Sequence, residues 1–182
     1  MALLLAALTA LAAACGTSSV EEARSGDALL DEQAVRRLLS LADLDAAGAK
    51  TDGLEPRVED LRALAAAVDA EQVREIRSWH GLHFERADRA VGLSLTVVDF
   101  DSAQRARRQL DIIESGPAFE AMARPVGDRS ALARAGGGIG AALAFISGRR
   151  LVTLHNIAAD EREALVDAAQ VEALARLVEG RL

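Results

Sequence analysis

The sequence predicts an α+β fold, in which an antiparallel sheet made of two hairpins and short strands has one face covered by helices. Two observations support this prediction. Apolar residues alternate with polar or small ones on both sides of a short polar turn, over residues 74–100 and again over 139–157, as they do in β-hairpins. Segments with helical apolar spacing precede, separate and follow these hairpins. This order of elements is typical of an antiparallel sheet with helices packed on it.

Two helices are predicted before the first hairpin. Asp31 is a suitable N-cap for a helix that runs to about Ala42. Residues 43–53 mix acids with glycine and predict a loop. Pro56 suits the first turn of a second helix. The apolar residues that recur at helical spacing in this second helix are Val58, Leu61, Ala65 and Val68.

The first hairpin has the clearest pattern. Its second strand alternates strictly between large apolar residues and small or polar ones, so the large residues share one face of the sheet. These large residues are Val91, Leu93, Leu95 and Val97. Asp101 and Gln104 have the spacing of a capping box for the next helix. Gly116 and Pro117 then end that helix.

The second hairpin follows a weakly patterned region, residues 118–135, which predicts one or two short strands. Residues 136–141 match the spacing G-x-G-x-x-A of a dinucleotide-binding loop, but they lead into an alternating strand instead of a helix. We therefore expect a mobile entrance to the hairpin there. Asp167 and Gln170 form a second capping box, and the closing helix ends near Gly180.

The chain divides into three parts. Residues 1–14 carry no charged side chain, and their apolar run has the length of a secretory signal, which is shorter than the roughly 20 residues of a membrane-spanning helix. Residues 15–28 are polar without a hydrophobic period and predict a flexible tether. Residues 29–182 are of the right size for a single α+β domain.

The segment from Leu11 to Gly16, LAAACG, contains the only cysteine of the chain and resembles the lipobox of bacterial lipoproteins. The resemblance implies that a signal peptide, residues 1–14, is removed and that Cys15 becomes the lipidated first residue. It also implies an extracytoplasmic protein anchored to a membrane of the bacterial cell envelope, with palmitate among its acyl groups. An ordinary signal cleaved after Ala14 and a buried N-terminal helix of a cytoplasmic protein are the alternatives.

Composition narrows the function. The net charge of −7 and the scarcity of aromatic residues argue against a nucleic-acid partner. The sequence contains no nucleophile elbow and no S-x-x-K motif, so we expect no catalytic residues and no cofactor. A non-enzymatic binding or accessory module, with an envelope protein or a small ligand as its partner, is the preferred interpretation. A periplasmic metal or small-ligand carrier and an envelope hydrolase without a recognised motif are the alternatives.

Four residues are candidates for a site in the domain. His83 and Glu85 share one face of the first hairpin, and His155 of the second hairpin would join them if the two hairpins were neighbours. Two imidazoles and a carboxylate are suitable ligands for zinc or copper. The competing interpretation is surface histidines that bind nothing. Trp79 would contact a ligand or partner, or else fill the core.

Overall fold

A computed structural model of the chain describes residues 29–68, 73–87, 91–134, 140–158 and 164–182. Its centre is a seven-stranded sheet in which every neighbouring pair of strands is antiparallel. The strands are β1 (Leu54–Asp60), β2 (Ile76–Arg86), β3 (Val91–Phe100), β4 (Phe119–Ala121), β5 (Arg129–Ala133), β6 (Ala142–Ser147) and β7 (Arg150–Ala158). They are ordered β1-β2-β3-β7-β6-β5-β4, so the two predicted hairpins lie side by side.

The helices of the described residues are α1 (Glu32–Leu38), α2 (Leu41–Ala46), α3 (Leu61–Val68), α4 (Ala103–Glu114) and α5 (Ala168–Glu179). Together with the antiparallel sheet they confirm the predicted α+β class. Within the described ranges, no helix has the length and hydropathy needed to cross a bilayer.

The larger core lies between one sheet face and helices α1, α2 and α5. The alternation read from the sequence places the large apolar residues of β3 on this face, as predicted. The fully buried residues at its centre include Leu38, Leu82, Phe84, Leu93, Leu95, Phe145, Val152, Leu154 and Leu174. Burial of this apolar surface supplies most of the stabilisation of such a domain.

A second, smaller core lies on the opposite sheet face under α4. Ala106 and Leu110 of α4 pack there against apolar residues of β2, β3, β5, β6 and β7. These residues are Ile76, Val98, Phe100, Ala131, Ala144, Ile146 and Leu151. The helices are therefore divided between the two faces, and they do not all cover one face.

The N-terminal helix is shorter than predicted. Asp31 caps it as expected, but the backbone is extended at Leu39 and a new helix begins at Leu41. The Ser40 hydroxyl accepts a hydrogen bond from the Asp43 N–H, while the Asp43 carboxylate accepts one from the Ser40 N–H. This capping box gives α2 its own start, and the loop prediction for residues 43–53 is wrong over the helical part.

Pro56 does not lie in a helix. It belongs to β1, which is an edge strand of the sheet that the described residues form. An edge strand tolerates proline because the missing N–H need not serve the ladder. The predicted second helix starts only at Leu61. The Asp60 carboxylate, directly before it, accepts a hydrogen bond from the Ala63 N–H at 3.0 Å.

The later elements largely agree with the predictions. Both hairpins form, β4 and β5 are the predicted short strands, and Asp167 and Gln170 make the expected capping box of α5. The N-cap predicted for α4, Asp101, is wrong by one residue, because Ser102 occupies that position. The Ser102 hydroxyl donates a hydrogen bond to the Asp101 carboxylate. Most of the glycine-rich segment, residues 135–139, lies outside the described residues.

Candidate functional site

Part of the sheet face that carries the smaller core is polar. The register aligns His83 of β2 with Ser94 of β3, and Ser94 with His155 of β7, so the three side chains form one row across the sheet. The alternation that sends Leu93 and Leu95 into the larger core places Ser94 and Thr96 here. We call this surface the histidine face, formed by Trp79, His83, Ser94, Thr96, Thr153 and His155.

A hydrogen bond orders the centre of the histidine face. The Ser94 hydroxyl oxygen lies 3.1 Å from Nδ1 of His83, and Ser94 is only 1% exposed. On its other side, Nε2 of His83 lies 3.6 Å from a carboxylate oxygen of Glu59. Because a carboxylate only accepts hydrogen bonds, this neighbour favours the tautomer with the proton on Nε2. Nδ1 then accepts the hydrogen bond from Ser94.

The position of the His83 ring depends on a glycine. The imidazole lies over Gly81, where the Cβ of any larger residue would overlap it. The same Cβ would lie 3.1 Å from the side chain of Leu61, at the start of α3. Gly81 therefore leaves the space in which the ring rests between the strand and this helix.

Burial keeps both histidines of this face uncharged near neutral pH. Desolvation lowers the pKa of His83, and Arg57 lowers it further, while Glu85 opposes the shift. Burial lowers the pKa of His155 to about 4, and repulsion from His83, when that ring is protonated, contributes to the shift. Neutral imidazoles offer one donor and one acceptor each, so they suit hydrogen bonding.

Three nitrogen atoms of the histidine face are buried but have no hydrogen-bond partner among the residues that the structure describes. They are Nε1 of Trp79, Nε2 of His83 and Nδ1 of His155. Nearly all buried polar groups in folded proteins are paired, so a group without a partner calls for an explanation such as water or a ligand. Three such atoms on one face make it the candidate binding surface among the described residues.

The charges beside the histidine face come from β1 and β2. Arg57 is paired with Glu59, and its guanidinium also lies 3.4 Å from a carboxylate oxygen of Glu85. Each acid is partly buried, with side-chain exposures of 30% for Glu59 and 16% for Glu85. Arg57, Glu59 and Glu85 therefore form one cluster of interacting charges at this margin of the face.

The structure brings together some of the predicted site residues. His83 and His155 share a row, whereas the carboxylate of Glu85 lies beside Arg57. Among the described residues, no three His, Cys, Asp or Glu side chains are grouped so that they could hold a metal ion. Trp79 packs against the smaller core, and its contact with a ligand or partner stays a prediction. Cys15 lies outside the described residues.

Two important residues were not anticipated. Ser94 was placed on the correct face by its alternation with Leu93, yet its partner His83 becomes apparent only from the pairing of β2 with β3. Glu59 could not be found because its segment was predicted to be helical. In a strand, Glu59 and Arg57 point to the same side of β1.

Ser94, His83 and Glu59 contain the residue types of a hydrolytic triad, but their geometry does not support nucleophilic attack. The serine lies in the middle of a central strand with 1% exposure, so a substrate carbonyl has no approach to its hydroxyl. The separation of 3.6 Å between His83 and Glu59 also exceeds that of a hydrogen bond. The row is suited to recognition by hydrogen bonds.

The fold itself resembles a known one. No protein-family model matches the sequence, and no curated protein sequence matches it. Among solved structures, the chain is similar to the extracellular domain of PknH from Mycobacterium tuberculosis, with a TM-score of 0.53. The similarity covers 86% of this chain and 98% of that domain at 13% sequence identity. At this identity the likeness shows a shared fold.

Proposed function

We propose that this chain is a lipid-anchored, extracytoplasmic module of a bacterial cell envelope that binds a small polar ligand at the histidine face and catalyses no reaction. The observation that carries the binding role is the set of three buried nitrogens without partners in the described ranges, Nε1 of Trp79, Nε2 of His83 and Nδ1 of His155. Leaving one such group unpaired costs about 1–3 kcal/mol. A ligand that pairs them recovers this cost when it binds.

The anchoring role rests on the resemblance of LAAACG, around Cys15, to a lipobox. The fold likeness to an extracellular domain supports the same compartment. Stable attachment requires two or more acyl chains, which a lipidated N-terminal cysteine provides.

Metabolic labelling with palmitate tests the anchor. We expect a labelled band in the membrane fraction that the variant Cys15→Ser abolishes, together with release of the variant into the soluble fraction. The chain has no second cysteine, so the variant removes its only thiol. An unlabelled wild-type protein, or a Cys15→Ser variant that keeps its label, would show that the lipobox interpretation is wrong.

Intrinsic fluorescence tests the binding role, because Trp79 is the only tryptophan of the chain and lies on the histidine face. A library of small polar compounds should contain members that change the emission of Trp79 saturably. His155→Ala should weaken this response, whereas His80→Ala should preserve it. His80 is a matched control because it is also buried, with an unpartnered Nδ1 among the described residues, but it faces the larger core. A library without any saturable response would contradict the binding role.

A metal carrier is the second candidate, and one observation favours it. Nε2 of His83 and the nearest oxygen of Glu59 are 3.6 Å apart, close to the spacing of two ligands around one tetrahedral zinc ion with bonds of about 2.0–2.1 Å. His155 in the same row is the predicted additional ligand, and Glu85 completes the set that the sequence suggested. Metal analysis of protein purified without chelators tests this alternative. A metal-free protein whose melting temperature does not change when zinc or copper is added would exclude it.

A further inference from the structure

We infer that helix α3 is a lid on the histidine face, which covers Nε2 of His83 when it is closed and gives access to this nitrogen when it opens. The inference rests on the proposed binding role, because it states how the face is reached, but its test needs no ligand. Three properties of α3 support it: its position beside His83, its weak packing, and the one polar side chain that ties it to the sheet.

The position of α3 places it against the ring of His83. A Cβ added to Gly81 would lie 2.5 Å from Nε2 of His83 and 3.1 Å from Cδ1 of Leu61, the first residue of α3. The ring nitrogen and the leucine methyl group are therefore close neighbours on the same side of β2. Nε2 is buried and has no hydrogen-bond partner among the described residues. Because Leu61 occupies the space beside this nitrogen, movement of α3 uncovers it.

The packing of α3 is weaker than that of the other helices. Each of α1, α2, α4 and α5 has at least one buried side chain, such as Leu44 of α2 and Leu110 of α4. Of residues 61–67, whose side chains the structure describes, none is buried and none belongs to either core. Leu64 is 58% exposed. Segments with few buried apolar contacts open at a low free energy, so α3 can leave the sheet while both cores stay packed.

A single polar side chain ties α3 to the sheet. The sequence of the helix is LRALAAAV, in which Arg62 is the only polar residue. Nε of Arg62 donates a hydrogen bond at 2.7 Å to the carbonyl oxygen of Ile76, a residue of the smaller core. All other side chains of α3 are alanine, leucine or valine and can supply only apolar contacts. Loss of the Arg62 hydrogen bond should therefore favour the open lid.

Amide hydrogen exchange measures the opening. We expect the amides of residues 65–68 to exchange at least about a hundredfold faster than those of residues 107–112 in α4. Arg62→Met, which keeps the apolar stem and the helix propensity, should speed exchange in α3 by about a further tenfold, the effect of one hydrogen bond. Arg176→Met is the matched control, because Arg176 also donates to a backbone carbonyl, that of Arg124, and it should leave α3 unchanged. Equal protection of α3 and α4 would overturn the inference.

Carbethoxylation by diethyl pyrocarbonate, located by peptide mass spectrometry, tests whether opening uncovers His83. Arg62→Met should raise the rate at His83 by about the same tenfold, but not the rate at His80, which faces the larger core. The tautomer balance of His83 is the same in both proteins, so the ratio of the rates reports access. Leu61→Ala should also raise the rate at His83, whereas the exposed Leu64→Ala should not. A rate at His83 that neither Arg62→Met nor Leu61→Ala changes would contradict the inference.

Failure of this inference differs from failure of the proposed function, because the lid is measured without a ligand. If α3 is as protected as α4 while the polar library still changes Trp79 fluorescence in a His155-dependent way, the face binds a ligand and the lid is wrong. If α3 opens and uncovers His83 as expected but no compound changes the fluorescence, the lid is confirmed and the binding role is wrong.

Discussion

Replacement of Asn156 should destabilise the domain more than most single substitutions. Asn156 lies in β7, is 3% exposed, and uses its whole amide group. Nδ2 donates to the carbonyl oxygens of Ala141 and Val166, each at 2.9 Å, and Oδ1 accepts from the Val166 N–H at 3.0 Å. One side chain thus ties the segment before β6 and the segment before α5 to a central strand.

The magnitude for Asn156→Ala follows from these contacts. Three hydrogen bonds with net values of about 0.5–1.5 kcal/mol each give about 1.5–4.5 kcal/mol. Backbone groups left buried without partners raise the cost, so we expect a loss of about 3–5 kcal/mol in the free energy of unfolding. Because a domain is stable by only about 5–15 kcal/mol, this loss is a large fraction of the total.

Urea unfolding followed by circular dichroism measures this loss. Thr153→Ala is the matched control, since Thr153 is a half-buried polar residue of the same strand outside the amide network, and it should cost about 1 kcal/mol or less. A loss below about 1 kcal/mol for Asn156→Ala would refute the argument that the amide holds the two segments.

The variant Asn156→Asp adds a test by pH. Its carboxylate would still accept from Val166, but it would face two carbonyl oxygens to which it cannot donate, so the pKa of the new carboxyl should be raised in the folded state. A raised pKa means that the folded protein binds the proton more tightly than the unfolded chain does. The stability deficit should therefore shrink as the pH falls toward about 4, the ordinary range of aspartate. A deficit that does not depend on pH would contradict this account.

Three further substitutions have expected outcomes. Gly92→Ala should lower the free energy of unfolding by about 1–3 kcal/mol, because the added Cβ would overlap a carbonyl oxygen of the adjoining strand. Asp99→Asn should cost about 3–5 kcal/mol, because Asp99 is fully buried with its carboxylate 2.5 Å from Nε of Arg149. Hydrogen bonding to Arg181 lowers the pKa of Asp43 to about 2. The stabilisation by Asp43 is therefore complete above about pH 4 and lost as the pH falls through about 2, so the difference between wild type and Asp43→Asn should disappear there.

Each of these has a control or a contradicting result. Gly180→Ala is the control for Gly92→Ala, because its added Cβ would make ordinary van der Waals contacts and should change the melting temperature little. Equal losses of stability in the two variants would contradict the steric explanation. The exposed Asp101→Asn controls for Asp99→Asn, and similar losses would show that burial does not set the cost. If the difference between wild type and Asp43→Asn persisted below pH 2, the ion pair with Arg181 would not be its source.

Several parts of the fold could be predicted because they depend on neighbours in the sequence. The strict alternation in residues 91–97 determines which side chains point into the larger core, whatever strand lies beside them. The capping box of Asp167 and Gln170 links residues three apart, so the start of α5 was predictable from the local sequence.

The sequence pattern mispredicts secondary structure where contacts with distant segments outweigh the local preference for a helix. Pro56 and Val58 fit a helical pattern, but β1 gains ladder hydrogen bonds along β2 and an edge position that tolerates proline. The register of this pairing also brings Glu59 and Arg57 beside His83. A sequence window that covers only residues 54–68 contains no information about a strand that begins at Ile76.

Local patterns are sufficient to predict the α+β class, the two hairpins and the faces of their strands, because alternation and caps depend on contacts within a few residues. The position of β3 between β2 and β7, which puts Ser94 between His83 and His155 in one row, becomes apparent only from the strand pairing. Strand order depends on hydrogen bonds and apolar burial between segments far apart in the chain, so no local pattern encodes it. For the same reason, the hydrogen bonds of Asn156 to Ala141 and Val166 cannot be predicted from the residues next to it in the sequence.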